Sequence, residues 1–396
     1  MDVQLAGTGG PAGWPEPGCR CASCSGARRD GVARARTEIL IDRVLRIAWP
    51  PPTAPPPTAP PPTAPPPGAA PPPRAAPPAT PPPPTAAQLR VASPVPNGYL
   101  AELVTDGLQV TAPDGGRLLC ARAPGAVPRP PDGADPYQIA LLDLLNQPSQ
   151  LGQLRRRRLI TDTTTVAPIH VDHRLVSRQE LTRRCRIWRV SPVSDGDHIT
   201  AAEGQAPPAQ AQPRPWRVLL LGGASSGKSS EAELRMAAEP DVTYVATAGP
   251  ERPGDTEWPN RVAAHRARRP SWWQTVETTD IAAVLRATAA CGTVLIDSIG
   301  SWLTAVLDEC RAWHRPEGDR VVAKHLASRT GELVAAWKDT NSHVIAVTEE
   351  TGLGVIPGTS SGRIFRDELG RLNQLLAEQS EEAILVVAGR TLSLPG

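Results

Sequence analysis

Lysine is almost missing from this 396-residue chain: of 42 Lys and Arg residues, only Lys228, Lys324 and Lys338 are lysine. Arginine and alanine in place of lysine and isoleucine point to a GC-rich bacterial genome, and a lysine kept against that drift marks a position worth reading. No charge of one sign dominates either. The net charge is +2, with 42 basic against 40 acidic residues, which removes the broad basic field expected of a nucleic-acid binder. No run of about 18 apolar residues occurs, so no membrane-spanning helix is expected. The start Met1-Asp2-Val3-Gln4-Leu5 lacks the basic and apolar regions of a secretory signal, and the expected compartment is the cytoplasm. Cysteines number seven, an odd count with three crowded at Cys19, Cys21 and Cys24, which fits thiols or a metal site better than a disulfide framework. Histidine is absent before His170.

Proline, by contrast, is plentiful, and its 47 residues show that part of the chain is linker. Residues Pro50 to Pro84 repeat Thr-Ala-Pro-Pro-Pro, a tract that cannot donate backbone hydrogen bonds and predicts solvated polyproline II. A second Pro/Gln/Ala-rich break runs from Glu203 to Pro215. The domain reading is therefore an N-terminal module over 1–49 and 86–202, a low-complexity segment over 50–85, a linker over 203–215 and a nucleotide-binding domain over 216–396. In that last domain the apolar runs Val218–Leu221, Val242–Ala246, Thr293–Ile296, Val344–Val347 and Ala383–Val387 alternate with helical patterns. The predicted class is α/β, a P-loop-type, mostly parallel sheet with flanking helices.

The first of those strands runs into Gly222-Gly223-Ala224-Ser225-Ser226-Gly227-Lys228-Ser229, a complete G-x-x-x-x-G-K-[ST] phosphate loop, with a helix expected from Ser230. Its glycines let backbone N–H groups cradle phosphate oxygens, Lys228 reaches the β and γ phosphates, and the Ser229 hydroxyl is placed to ligate Mg²⁺. Thr293-Val-Leu-Ile-Asp297 ends an apolar strand in a carboxylate, which suits a Mg²⁺ site and equally suits a turn or helix cap.

His265 lies among Arg261, Arg266, Arg268 and Arg269. Neighbouring cations disfavour protonated imidazole, the neutral ring is nucleophilic, and the arginines would hold a polyphosphate beside it. A solvated basic helix face with an incidental histidine explains the same pattern. Further on, Arg363, Arg366, Asp367, Gly370 and Arg371 follow helical spacing opposite Ile364, Leu369 and Leu372. That polar stripe is either a solvated salt-bridge ladder or a grip on substrate and phosphate.

Taken in order, these motifs resemble the bifunctional adenosylcobinamide kinase/adenosylcobinamide-phosphate guanylyltransferase family. The residues carrying the resemblance are Gly222 to Ser229, Tyr244-Val-Ala-Thr247, Arg261 to Glu277, Ile296-Asp297, Gly352 to Pro357 and Phe365 to Asn373. The resemblance implies phosphorylation of adenosylcobinamide followed by GTP-dependent guanylylation, with ATP, GTP and Mg²⁺ as nucleotides and cofactor. His265 would take GMP as a phosphoramidate, with Lys228 as the second catalytic residue. Ala246, Thr247, Ala248, Arg266, Ala267, Arg268, Arg269, Glu277 and Asp297 would line the nucleotide site, and the family's homotrimeric state would apply. Glu349 stands where the family pattern has Asn, and Ala305 where many members have Asn. Glu349 keeps open a narrower reading, a small-molecule kinase without guanylyl transfer.

The N-terminal module resembles the phosphodiesterase branch of the metallo-β-lactamase fold, through Gly7-Thr-Gly-Gly10, Cys19-Arg-Cys21-Ala-Ser-Cys24 and His170-Val-Asp-His173. The resemblance implies a structural Zn²⁺ on Cys19, Cys21, Cys24 and His173, with metal-free thiols as the alternative. The H-x-H-x-D-H motif of a dinuclear hydrolase is missing, so the module is expected to be inactive. A nucleotide-switched, zinc-stabilised scaffold is the remaining reading of the whole chain.

Overall fold

A computed structural model describes residues 1–48, 90–91, 95–104, 107–121, 135–200, 215–248, 263, 266–290, 292–314 and 320–395. The proline-rich tract over 50–84, and the break over 203–215 except its last residue, lie outside the described residues. Two compact units form, one of Met1–Gln150 and Arg157–Ala209, the other of Leu151–Arg156 and Gln210–Gly396.

The first unit pairs two five-stranded sheets. One consists of β1 (Asp2–Gly7), β2 (Glu38–Ile41), β3 (Leu45–Ala48), β4 (Arg90–Val91) and β10 (His198–Thr200), in the order β10-β1-β2-β3-β4 and antiparallel throughout. The other runs β5 (Leu100–Val104), β6 (Gly107–Thr111), β7 (Arg117–Ala121), β8 (Ile139–Leu142) and β9 (Thr165–Pro168), antiparallel up to β7 and parallel beyond it. Alternation makes the core. Val3 and Leu5 of β1, with Ile39 and Ile41 of β2, turn inward and share one apolar cluster with Leu108, Val110, Leu118 and Ile139 of the other sheet. Helices α1 (Ala22–Arg29), α2 (Ser149–Arg156) and α3 (Arg178–Trp188) occur along this part of the chain.

The second unit is built on a seven-stranded sheet in the order β13-β12-β14-β15-β11-β16-β17. Its strands are β11 (Trp216–Gly222), β12 (Thr243–Ala246), β13 (Gln274–Glu277), β14 (Thr293–Asp297), β15 (His343–Glu349), β16 (Glu382–Val387) and β17 (Arg390–Leu394). All neighbours are parallel except β16 and β17. Successive side chains feed two apolar layers. Leu219, Leu221, Val294, Ile296, Val344 and Ala346 join the layer of α5 (Ile281–Ala287), α6 (Ile299–Glu309), α7 (Arg320–Asp339) and α8 (Ser360–Ala377). Val218, Leu220, Leu295, Ile345, Ile384 and Val386 join the opposite layer with Ala232 and Met236 of α4 (Lys228–Met236). Burial on both faces explains why these strands read as continuous apolar runs.

All five predicted strands of this unit are present. The helix expected from Ser230 begins two residues earlier, at Lys228, because Gly227 takes the N-cap position with φ +99, a conformation open to glycine. Strands β13 and β17 were not expected. Both are edge strands, largely exposed, so they lack an apolar run, and β17 is turned back on β16 through Ala388 and Gly389 at φ +49 and +73. A buried ion-pair set fixes α4 to the sheet: Arg235 Nε lies 2.8 Å from Glu231 Oε1, and its Nη1 3.0 Å from Glu382 Oε2.

Candidate active site

Parallel pairing sends the ends of β11, β12, β14 and β15 to one edge, where a doubly wound sheet collects ligands. Register places them finely: Gly222 pairs with Glu349, Asp297 with Val347, and Ala246 with Asp297. Because β15 lies between β11 and β14, its last residue, Glu349, stands between the phosphate loop and the Asp297 strand end.

The loop is shaped for an anion. A Cβ on Gly222 would meet Ser226 Oγ at 2.5 Å and Val386 O at 2.6 Å, so the first loop position admits only glycine, while the space beside Gly223 is open. Lys228 is largely buried and folds back on the loop, its Nζ donating to Gly223 O at 3.1 Å and lying 3.9 Å from Glu349 Oε1. Burial raises the Glu349 carboxyl pKa, while Lys228 opposes the shift. Glu349 Oε2 is buried, and the Ser298 side chain acts on the same carboxylate. A Cβ on Gly300 would come within 1.9 Å of that oxygen, so this first-turn position of α6 needs glycine to admit the carboxylate.

Asp297 accepts a hydrogen bond from Tyr244 Oη at 2.7 Å, and the Arg269 guanidinium stacks 3.4 Å from the centre of the Tyr244 ring. Burial and then Asp297 push the Tyr244 phenol upward, keeping it a neutral donor. Thr247 is buried: its Oγ1 donates to Ser298 O at 2.6 Å and accepts from Ser298 N at 2.9 Å, stitching the end of β12 to that of β14. The expected basic cluster is engaged with acids. Arg266 bonds Glu277, and Arg268 Nε pairs with Glu233 Oε2 at 3.0 Å, which raises its pKa. Glu233 and Ser298 carry no sequence signal of their own. His265 and Arg261 lie outside the described residues. Ser229 follows Lys228 in the first turn of α4.

The polar stripe on α8 holds backbone. Arg363 Nη1 donates to Pro357 O and Gly358 O, both at 3.0 Å, and Arg366 Nη2 to Gly352 O at 3.2 Å. Asn373 accepts from Thr348 Oγ1 at 2.7 Å and donates to Glu349 O at 3.1 Å, locking the strand end that carries the glutamate. Leu353, Val355 and Ile356 of the loop between them are exposed.

In the first unit the sequence-predicted metal residues partly converge. The ligand atoms of Cys19, Cys24 and His173 all lie within 4.8 Å of one another, and Cys21 is not part of that group. Cys21 instead caps α1, its Sγ accepting from Cys24 N at 3.4 Å. Burial pushes the Cys24 thiol up to about 11. Glu16, which sequence reading missed, donates its backbone N–H to Cys24 Sγ at 3.3 Å and sets its Oε2 2.6 Å from His173 Nδ1. Such a carboxylate fixes the orientation of the ring. Arg28 ties the loop down, donating to Cys19 O at 2.7 Å and Glu16 O at 2.6 Å. Two soft thiols and an oriented imidazole fit Zn²⁺ in donor type. His170, from the same motif, is fully buried with Nδ1 3.9 Å from Asp143 Oδ2, and burial lowers its pKa to about 3.

Residues 218–394 match the model of the cobinamide kinase / cobinamide phosphate guanyltransferase family. The chain is 42% identical over 184 residues to the bifunctional adenosylcobalamin biosynthesis protein CobP of Pseudomonas aeruginosa, covering 46% of this chain and 98% of that relative. It is 35% identical over 179 residues to the bifunctional adenosylcobalamin biosynthesis protein CobU of Salmonella typhimurium, covering 43% of this chain and 96% of that relative. The corresponding protein of Escherichia coli is 33% identical over 176 residues, covering 43% and 96%. By its C-terminal unit, the chain belongs to the cobinamide kinase / cobinamide phosphate guanyltransferase family.

Proposed function

We propose that the second unit phosphorylates the aminopropanol hydroxyl of adenosylcobinamide and then transfers GMP from GTP to that phosphate, yielding adenosylcobinamide-GDP. The observation carrying this reading is the meeting of the phosphate loop, Lys228, Asp297 and Glu349 at one sheet edge, within the family-matched span. Lys228 and the loop N–H groups stabilise charge on the transferring phosphoryl group. Ser229 and Asp297 would hold Mg²⁺, which would neutralise charge on the phosphate oxygens. In the second step His265 attacks the α phosphorus of GTP, pyrophosphate leaves, and the resulting GMP-histidine delivers its nucleotide to the cobinamide phosphate. Arg266, Arg268, Arg269 and Glu277, with Ala246, Thr247, Ala248 and Ala267, border the nucleotide. Ion pairing of Arg266 and Arg268 with Glu277 and Glu233 holds these side chains in place until an anionic ligand competes for them.

The first unit is proposed to be an inactive lactamase-like module holding Zn²⁺ through Cys19, Cys24 and His173. A cytoplasmic, homotrimeric enzyme completes the reading; among the described residues, no helix is long and apolar enough to cross a membrane. The test is a coupled assay. Adenosylcobinamide incubated with the protein, ATP, GTP and Mg²⁺ is expected to give adenosylcobinamide phosphate and then adenosylcobinamide-GDP by chromatography. Accumulation of the phosphate alone would reduce the activity to a kinase, and no product at all would overturn the reading.

A further inference from the structure

The fold gives Glu349 a position that a packing residue has no need of. It ends β15, the strand between the phosphate-loop strand and the Asp297 strand, in register with the first loop glycine. Its carboxylate lies 3.9 Å from the Lys228 ammonium, the group aimed at the transferring phosphate. The surroundings are built around it. Gly300 leaves the space its Oε2 occupies, with Phe365 lining the same pocket, and Asn373 fixes its backbone through Glu349 O. Oε2 is buried, and the Ser298 side chain acts on the same carboxylate. A carboxylate whose Oε1 faces the Lys228 ammonium beside a phosphate cradle is in place to receive a proton from something that docks there.

We propose that Glu349 is the catalytic base of the phosphoryl-transfer step, accepting the proton of the acceptor alcohol. This rests on the kinase half of the function proposed above. In the step, the substrate O–H bond breaks and its proton passes to the Glu349 carboxylate. The alcohol oxygen forms a bond to the γ phosphorus, the bond from that phosphorus to the β–γ bridging oxygen breaks, and its electron pair leaves on ADP. Lys228 holds the phosphate charge meanwhile, and the proton on Glu349 returns to solvent after product release. Burial and Asp297 raise the carboxyl's affinity for a proton while Lys228 opposes them, the direction a proton acceptor needs.

The experiment compares the full-length protein with its isosteric Glu349→Gln variant in γ-labelled ATP transfer to adenosylcobinamide, alongside binding of a non-hydrolysable ATP analogue. Loss of a general base is expected to lower kcat by about 10²–10⁴-fold. Analogue affinity should be unchanged or tighter, because a negative charge beside the phosphates has been removed. A kcat equal to wild type overturns the proposal. So does a fall in kcat matched by an equal weakening of analogue binding, which would make Glu349 a support for the loop. Absence of transfer by the wild-type protein would overturn the functional reading and this inference with it, and is told apart because the variant is then not needed.

Discussion

Both units gather polar side chains from distant parts of the chain, but by different physics. In the second unit parallel pairing delivers the ends of β11, β12, β14 and β15 to one edge, so Lys228, Asp297 and Glu349 meet because of strand order. In the first unit the thiols are set by a short loop and the first turn of α1, and His173 is fixed by Glu16 and Arg28 bonds close by. The first arrangement leaves charge unevenly paired in an open cradle, which suits reaction. The second ties every donor locally, which suits a structural ion.

That contrast is broken most directly at Lys228. Replacing it with alanine is expected to lower phosphoryl transfer by roughly 10²–10³-fold, the effect of losing one preorganised donor to developing charge. A Cys24→Ala variant should leave the same rate unchanged, measured with γ-labelled ATP. An equal loss in both variants would erase the distinction between the two sites.

Acid sensitivity separates the units next. The His170 ring has its folded pKa lowered to about 3 by burial, with Arg174 adding to the shift. An unfolded histidine takes a proton below about pH 6.5 that the native ring refuses. Stability from this group is therefore complete above that pH and falls at about 1.4 kcal/mol per pH unit on the way down to about 3. Thermal melts across pH should show the transition of the first unit dropping in acid, and His170→Gln should flatten that slope. A wild-type slope unchanged by the substitution would place the acid lability elsewhere.

Chelation sharpens the same comparison. Removing bound zinc, or substituting Cys24, should lower the melting transition of the first unit by about 5 °C, roughly 2 kcal/mol for a domain of this size. The nucleotide-stabilised transition of the second unit should stay in place. Metal analysis giving no zinc in carefully purified protein would leave Cys19, Cys24 and His173 as a thiol cluster.

The smallest expected effect lies at Gly300. Gly300→Ala forces the Glu349 carboxylate to move, at about 1–3 kcal/mol by analogy with overpacked sites, visible as a lower melting temperature together with slower phosphoryl transfer. An alanine tolerated without either change would mean the carboxylate has room to shift.

Much of the second unit was legible before any coordinates. Strands buried on both faces announce themselves as apolar runs, and the phosphate loop by its glycine spacing. Strand order is not written in such runs, so the placing of Glu349 between Lys228 and Asp297 had to come from the fold. The same limit hid β13 and β17, edge strands whose exposure leaves no apolar pattern. In the first unit the cysteine spacing pointed to a metal loop, but it did not reveal that Cys21 caps α1, nor that Glu16 orients His173. The arginines around His265 suggested a free cationic cradle. Arg266 and Arg268 are instead paired with Glu277 and Glu233, one of them eleven residues away and the other on α4.

The nucleotide site is proposed to work in two steps, with His265 as the covalent carrier of GMP. Incubating the full-length protein with α-labelled GTP and Mg²⁺, then denaturing it, reads that claim directly. Protein-bound label is expected to survive alkali and be released by acid, with none on a His265→Ala variant. Unlabelled wild-type protein, or equal labelling of the variant, would contradict it.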